Sequence, residues 1–193
     1  MIAGDTRLSE GYSIVTRDES KLVKLSEKTI LATSGMFADF CELKKVLHSK
    51  LEIYDYKIGR EATTEGIANL LSKTLYGRRF FPYYTFNLIG GLDKNGKGIL
   101  YGYDAIGSYD FATGLAQGSG AHMIVPLLDA ELVGYNNPNH SKKPPVSIES
   151  AIDLIERAFK ACAERDIYTG DRLEIIVLNK EGTRTVWKQL RRD

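Results

Sequence analysis

Residues Tyr76–Tyr109 read YGRRFFPYYTFNLIGGLDKNGKGILYGYDAIGSY, and how this stretch is parsed decides the fold. It opens on the last turn of an apolar-periodic segment, which Pro82 is expected to close, because proline cannot continue a helix and pushes its predecessor out of the α region. An aromatic strand then spans Tyr83–Leu92, Asn95-Gly96 turns the chain, and a second strand spans Gly98–Asp104. Asn-Gly between two alternating apolar runs predicts a hairpin, since both turn positions favour φ > 0. Helix, sharp stop and long buried hairpin therefore follow one another.

Before the hairpin, Met1–Thr6 reads as the end of a strand. Gly11–Thr16, Leu22–Leu25 and Thr29–Ser34 read as short strands. The period then changes. Phe37, Phe40, Leu43, Leu47, Leu51 and Tyr54 recur at steps of three and four, one face of a long helix. A second helix follows the N-cap Thr63, with Glu65 in its first turn and Ile67, Leu70, Leu71 and Leu75 as its buried stripe. The short connection makes the two helices antiparallel neighbours.

After the hairpin, Ser108–Gln117 reads as a strand, and Gly118-Ser119-Gly120 enters a third helix over Ala121–Leu132 that contains Pro126. Tyr135–Val146 is polar, Pro-rich and basic, hence an exposed loop. Ser147 caps a fourth helix with the stripe Ile148, Ile152, Ile155, Phe159 and Cys162. Leu173–Leu178 and Thr183–Leu190 close the chain around a turn at Lys180–Gly182. Strands that are apolar on both faces need cover on both sides. Two helix pairs separated by the hairpin supply it, which predicts an α+β fold, a four-layer helix–sheet–sheet–helix sandwich. A parallel α/β fold fits worse, because the hairpin turns are too tight for crossovers.

The 193 residues fit one domain over 1–193, with 43% hydrophobic and 26% charged residues, as in ordinary soluble domains. A formal charge of +1 argues against a nucleic-acid footprint, which needs a concentrated basic face. Cys41 and Cys162 stand far apart and both fit a core role, so a disulfide framework or zinc site is not expected. His48, His122 and His140 show no metal-ligand spacing; neither a metal nor another cofactor is expected. No apolar run reaches membrane-spanning length and the start lacks a signal-peptide pattern, which predicts a cytoplasmic or nuclear protein and no membrane partner. The sequon Asn139-His140-Ser141 is read as accidental.

Taken singly, the polar clusters have plain explanations. Gly90–Gly98 lacks the Gly-Lys-Ser/Thr ending of a phosphate loop and suits a hairpin. Gly118-Ser119-Gly120 precedes a helix and could hold an anion, although a tight strand-to-helix turn explains it better. Asp5-Thr6-Arg7 suits an Asx-type turn, Lys21 a surface position, and Arg165-Asp166 a helix cap.

Together the clusters are more specific. GDTRLSEGYSIVTRD (4–18), Ser34-Gly35, RRFFPYY (78–84), GLDKNGKG (91–98), the GSG at Gly118 and AERDIYTGD (163–171) resemble a proteasome beta-type subunit, and the resemblance runs from Gly4 to Asp193. It implies the N-terminal-nucleophile hydrolase fold. In active members an N-terminal Thr is the nucleophile, served by an Asp, a Lys, an oxyanion glycine and a supporting Ser/Asp/Ser set. By motif, those positions fall here on Asp5, Lys21, Gly35, Ser119, Asp166 and Thr169, the last a conservative change. The nucleophile's position would lie about a dozen residues before Met1, one strand and a turn upstream. The first strand is accordingly expected to be missing from this sequence, a mis-set start being the favoured reason. The resemblance is to a non-catalytic member, with Gly in place of that Thr, so no catalytic residue is expected and the six positions are read as vestigial.

The same resemblance implies partners: other alpha and beta subunits, with the fifth and seventh beta subunits as ring neighbours, in ubiquitin-dependent protein degradation. It also implies that Asp104 and Ser108 wall the substrate pocket of the neighbouring chymotrypsin-like subunit. The rival expectation is an active threonine hydrolase whose nucleophile-bearing N-terminus is absent from this sequence. A bacterial-type homomeric subunit fits less well, given the loop Tyr135–Val146.

Overall fold

Strands and helices come in blocks, following the changes of hydrophobic period. The computed structural model describes residues 1–134 and 146–193. It begins with β1 (Ile2–Asp5), β2 (Leu8–Glu10), β3 (Ser13–Thr16), β4 (Leu22–Ser26) and β5 (Thr29–Gly35). Helices α1 (Phe37–Ile58) and α2 (Thr64–Tyr76) follow, then β6 (Thr85–Leu92), β7 (Gly98–Tyr103) and β8 (Tyr109–Phe111). Helix α3 (Ala121–Leu128) runs into a π-helical turn, Asp129–Val133; α4 (Ile148–Ala163), β9 (Arg172–Asn179) and β10 (Gly182–Gln189) complete the chain. Two units result. One comprises Met1–Ile2, Leu22–Ala112 and Leu178–Arg184, the other Ala3–Lys21, Thr113–Val177 and Thr185–Asp193.

In the first unit an antiparallel sheet has the order β4-β5-β6-β7-β8. Its register aligns Leu31, Ile89 and Tyr101 in one cross-strand row. All three are buried in a core with Leu43 and Leu47 of α1 and Ile67, Leu71 and Leu75 of α2. Period two in the strands and period 3.6 in the helices thus meet on one surface, and each fully buried Leu or Ile there contributes roughly 1.5–3 kcal/mol. Thr63 caps α2, its side chain accepting from the Gly66 amide at 3.1 Å. Helix α1 ends at Gly59, whose φ of 71° only glycine adopts without penalty.

Several expectations need correction here. Helix α2 stops at Tyr76, well short of Pro82; three successive turn bonds, from the amides of Arg78, Arg79 and Phe81, fill the interval. The β6–β7 connection is not a two-residue turn. Leu92 pairs with Gly98, and Asp93 organises the loop by accepting the amides of Asn95 and Lys97, both at 2.8 Å. Gly96 alone in that loop has positive φ. The strand expected over Ser108–Gln117 shrinks to β8, three residues long and wholly exposed.

The second unit holds most of β1, β9 and β10, which form a sheet of order β1-β9-β10, and a β2–β3 hairpin whose first strand was not anticipated. Ser147 caps α4 by accepting the Ser150 amide at 3.1 Å. The expected single stripe on α4 is in fact two. Leu154, Ala158 and Cys162 pack with Ile124 and Leu128 of α3, whereas Ile152, Ile155 and Phe159 pack with Leu173, Ile175 and Val177 of β9. Phe159 belongs to both groups, and Ile148 is exposed. The third helix ends four residues before the expected Leu132 and gives way to the π turn, which Gly134 terminates at φ 56°. The loop Tyr135–Val146, apart from Val146 itself, lies outside the described residues, as do His140 and the sequon. Each unit combines helices with β-strands, an α+β construction.

Candidate functional site

Strand β1 delivers Asp5, Thr6 and Arg7 into the second unit at 6%, 1% and 4% exposure. Three buried polar residues in succession require dense hydrogen bonding. The Asp5 carboxylate meets the Lys21 ammonium, Oδ1 to Nζ, at 2.5 Å. Its Oδ2 accepts the amides of Arg7 and Gly170, at 3.3 and 3.2 Å. Thr6 Oγ1 donates to the Arg17 carbonyl at 2.7 Å and accepts the Arg172 amide at 3.2 Å.

Arg7 ties the cluster to the chain's last turn. Its Nε donates to Asp171 Oδ2 at 2.8 Å and its Nη1 to the Ile167 carbonyl at 2.9 Å, while Nη2 reaches the Arg191 carbonyl and Asp193 Oδ1. Arg17 Nη1 takes the other Asp171 oxygen at 2.6 Å. Burial by itself would push the Asp171 carboxyl up, but the two guanidinia together hold it below the usual carboxylate range. Asp171 is also the one described non-glycine residue at positive φ, 69°.

Around Gly170 the second part of the site assembles. Asp166 Oδ2 accepts from Ser119 Oγ at 2.6 Å and from Thr169 Oγ1 at 2.8 Å, and its Oδ1 accepts the Tyr168 amide. Burial raises this carboxyl, yet the two hydroxyls, the amide and the positive charge of Lys21 bring it below its ordinary value. One carboxylate thus holds both hydroxyls in place. Cys162 lies beneath, where a Cβ on Gly120 would collide with its Sγ. Burial pushes the Cys162 thiol up, away from the thiolate that a nucleophile would need.

The whole chain is similar to known proteins. The family described as "Proteasome subunit" matches residues 1–178. The chain belongs to the proteasome subunit family. Proteasome subunit beta type-1 of Petunia hybrida is 47% identical over 196 positions, spanning 100% of this chain and 88% of the relative. Beta type-1-B of Carassius auratus is 45% identical over 193 positions, with 100% and 81% covered. Beta type-1 of Drosophila melanogaster is 40% identical over 195 positions, with 100% and 83% covered.

In this proteasome-family chain the structure brings five of the motif positions together: Asp5, Lys21, Ser119, Asp166 and Thr169. Gly35 belongs to the first unit. Its φ is 105°, and a Cβ there would run into the Tyr84 carbonyl, so a side chain is excluded on both counts. Asp104 and Ser108 also lie in the first unit, at the turn after β7. Asp104 Oδ1 accepts the amides of Ile106 and Ser108 at 3.0 and 2.8 Å, and Asp104 is exposed. The amides of Ala121, Met123 and Ile124 donate to the carbonyls of Gly118 and Gly120, so a strand-to-helix turn accounts for this glycine pair.

Sequence reasoning missed Arg17, Asp171 and Asp193. Asp171 ends the AERDIYTGD motif, and its place after a glycine was the one available signal. Among the described residues no cluster of His, Cys, Asp and Glu could hold a metal ion, and no helix is long and apolar enough to cross a membrane.

Proposed function

We propose that this chain is a non-catalytic beta subunit of the proteasome core particle, a threonine-type protease complex. In this reading it adopts the four-layer sandwich of the N-terminal-nucleophile hydrolases and takes a place in the beta ring between the fifth and seventh beta subunits. It contributes to ubiquitin-dependent protein degradation in the cytoplasm and nucleus. Asp104 and Ser108 help to wall the substrate pocket of the neighbouring chymotrypsin-like subunit.

The observation that carries this reading is the full-chain similarity, at 45–47% identity, to beta type-1 proteasome subunits. The Ser119 and Thr169 hydroxyls both donate to Asp166, the supporting arrangement that the rival active hydrolase would keep as well, so a direct chemical test has to separate the two readings. Asp5 and Lys21 then serve to hold β1 against the Gly170 turn.

The test is covalent. A peptide epoxyketone, which reacts with an N-terminal threonine, is applied to particles purified from cells that contain the full-length subunit, and each denatured subunit is weighed. This chain should keep its unmodified mass while the active subunits gain the inhibitor. An adduct on this chain would establish the active threonine hydrolase instead.

A further inference from the structure

The turn that carries Asp104 and Ser108 is closed from within by one residue and seated from outside by another. Within it, Asp104 Oδ1 accepts the amides of Ile106 and Ser108, and the Asp104 amide donates to the Ser108 carbonyl. These bonds set the shape of the turn, but none ties it to the helices. Helix α2 does that. Ser72 Oγ donates to the Gly107 carbonyl at 2.6 Å, and one helical turn earlier the Ala68 carbonyl accepts the Tyr103 hydroxyl at 2.8 Å. The two bonds bracket Asp104, since Tyr103 precedes it and Gly107 follows it.

The Ser72 bond departs from what a helical hydroxyl ordinarily does. Such a group either faces solvent or returns to the carbonyl four residues earlier. Thr74, two residues on, returns to the Leu70 carbonyl at 2.7 Å. For Ser72 the corresponding carbonyl is that of Ala68, which serves the helix ladder and also accepts Tyr103. The Ser72 hydroxyl is turned out of the helix instead. Gly107 meets it with a backbone that a side chain would forbid: its φ is 95°, and a Cβ there would collide with the Ser72 carbonyl and crowd Leu75. Gly107 is buried against α2, whereas Asp104 and Ser108 are exposed. The turn is seated by its glycine and presents its carboxylate.

We infer that Ser72 is a positioning residue for the neighbouring chymotrypsin-like site: by holding Gly107 it sets where the Asp104 carboxylate stands, and so how tightly that site takes peptides that reach its third pocket. This rests on the proposal that Asp104 and Ser108 wall that pocket. Ser72 touches no substrate and acts through Asp104. Support of α2 itself is a poorer account of the hydroxyl, because alanine is the better helix former and the bond leaves the helix altogether.

The experiment uses assembled particles in which the full-length subunit carries Ser72→Ala, Ser72→Thr, Asp104→Asn, or Ser72→Ala with Asp104→Asn. Inhibitors with and without a group for the third pocket are titrated at all three active sites, peptide turnover is measured, and hydrogen exchange is followed over residues 104–108. Ser72→Ala should speed exchange there and weaken third-pocket inhibitors at the chymotrypsin-like site about two- to fivefold, the effect of one lost hydrogen bond. KM should rise at that site with kcat kept, because the cleaving residues are untouched. Ser72→Thr, which keeps the donor, should restore most of the affinity. Added to Asp104→Asn, Ser72→Ala should weaken binding little further, since both act through one carboxylate. If Asp104→Asn weakens these inhibitors and Ser72→Ala does not, the inference is overturned and the pocket wall stands. Full additivity of the two, threonine no better than alanine, or equal weakening at all three sites would also overturn it. If neither variant weakens the inhibitors, the pocket wall falls and the inference with it.

Discussion

Lys21 Nζ stands 2.5 Å from Asp5 Oδ1, with the lysine side chain 27% exposed and the aspartate 8%. The asymmetry sets the energetics. Without Lys21, Asp5 keeps two amide donors; without Asp5, the Arg7 and Gly170 amides lose their acceptor and the ammonium loses its counter-charge. Asp5→Ala should therefore cost about 3 kcal/mol, the range for breaking a buried pair, and Lys21→Met distinctly less. Urea denaturation of the two variants checks this. Equal losses would mean that the pair is not organised around the aspartate.

Acid should loosen the second unit through Asp171. Its carboxyl is held low in the folded protein, so its contribution is fully present above the unfolded value of about 3.9 and disappears as pH falls from there through the lower folded value. Asp171→Asn keeps a residue that tolerates positive φ while removing the charge. The variant should melt lower at neutral pH and lose less stability than the parent on acidification below about pH 4. Parallel acid limbs for both proteins would show that Arg7 and Arg17 do not hold this carboxyl.

The fold was legible wherever one face of an element meets one partner. Strand patterning located β5, β6 and β7, and helical spacing supplied Leu43, Leu47, Ile67 and Leu71, which pack with Leu31, Ile89 and Tyr101 of those strands. Capping chemistry likewise located Thr63 and Ser147, because those side chains bond within their own turn. Reading failed on α4, which is covered on two sides; an apolar residue does not declare which neighbour it meets. It failed at Pro82 too, since α2 stops at Tyr76 and the turns after it look like helix in sequence. Of the site, the motifs supplied Asp5, Lys21, Ser119, Asp166 and Thr169. The bonds from Arg7 and Arg17 to Asp171 span more than 150 residues and leave no periodic trace.

Gly120 and Cys162 should behave as a coupled pair. Gly120 has φ −87°, a conformation open to any residue, so only the space filled by Cys162 Sγ stands against a side chain there. Gly120→Ala should destabilise the chain by about 1–3 kcal/mol, as overpacking does. Adding Cys162→Ala removes the obstructing sulfur, and the double variant should be more stable than the sum of the single losses predicts, by about 0.5–3 kcal/mol. Additive losses in denaturant titrations would mean that the strain is taken up elsewhere, for instance at Asp166 and Thr169, which also approach the added carbon at 3.4 Å.

Asp104 presents a sharper question, because its carboxylate already has work inside its own turn. Oδ1 receives the amides of Ile106 and Ser108, and the Asp104 amide donates to the Ser108 carbonyl at 2.9 Å. A capping role alone would explain these contacts. The proposed pocket wall asks for something further, a negative charge facing the neighbouring chymotrypsin-like site. Asn separates the two roles. An amide oxygen can accept both backbone donors as the carboxylate does, so Asp104→Asn should leave the turn intact and the melting temperature within about 1 °C, the response to a few tenths of a kcal/mol. The charge is lost, and with it the charge-assisted bonds to peptide amides, roughly twice as strong as neutral ones. In assembled particles, inhibitors that reach the third pocket of the chymotrypsin-like site should bind Asp104→Asn particles several-fold more weakly, while the other two active sites respond as before. Asp104→Ala supplies the control: it should lower stability as well as affinity, because both amides lose their acceptor. Unchanged inhibition at the chymotrypsin-like site in Asp104→Asn particles, or equal weakening at all three sites, would leave Asp104 as a turn residue and nothing more.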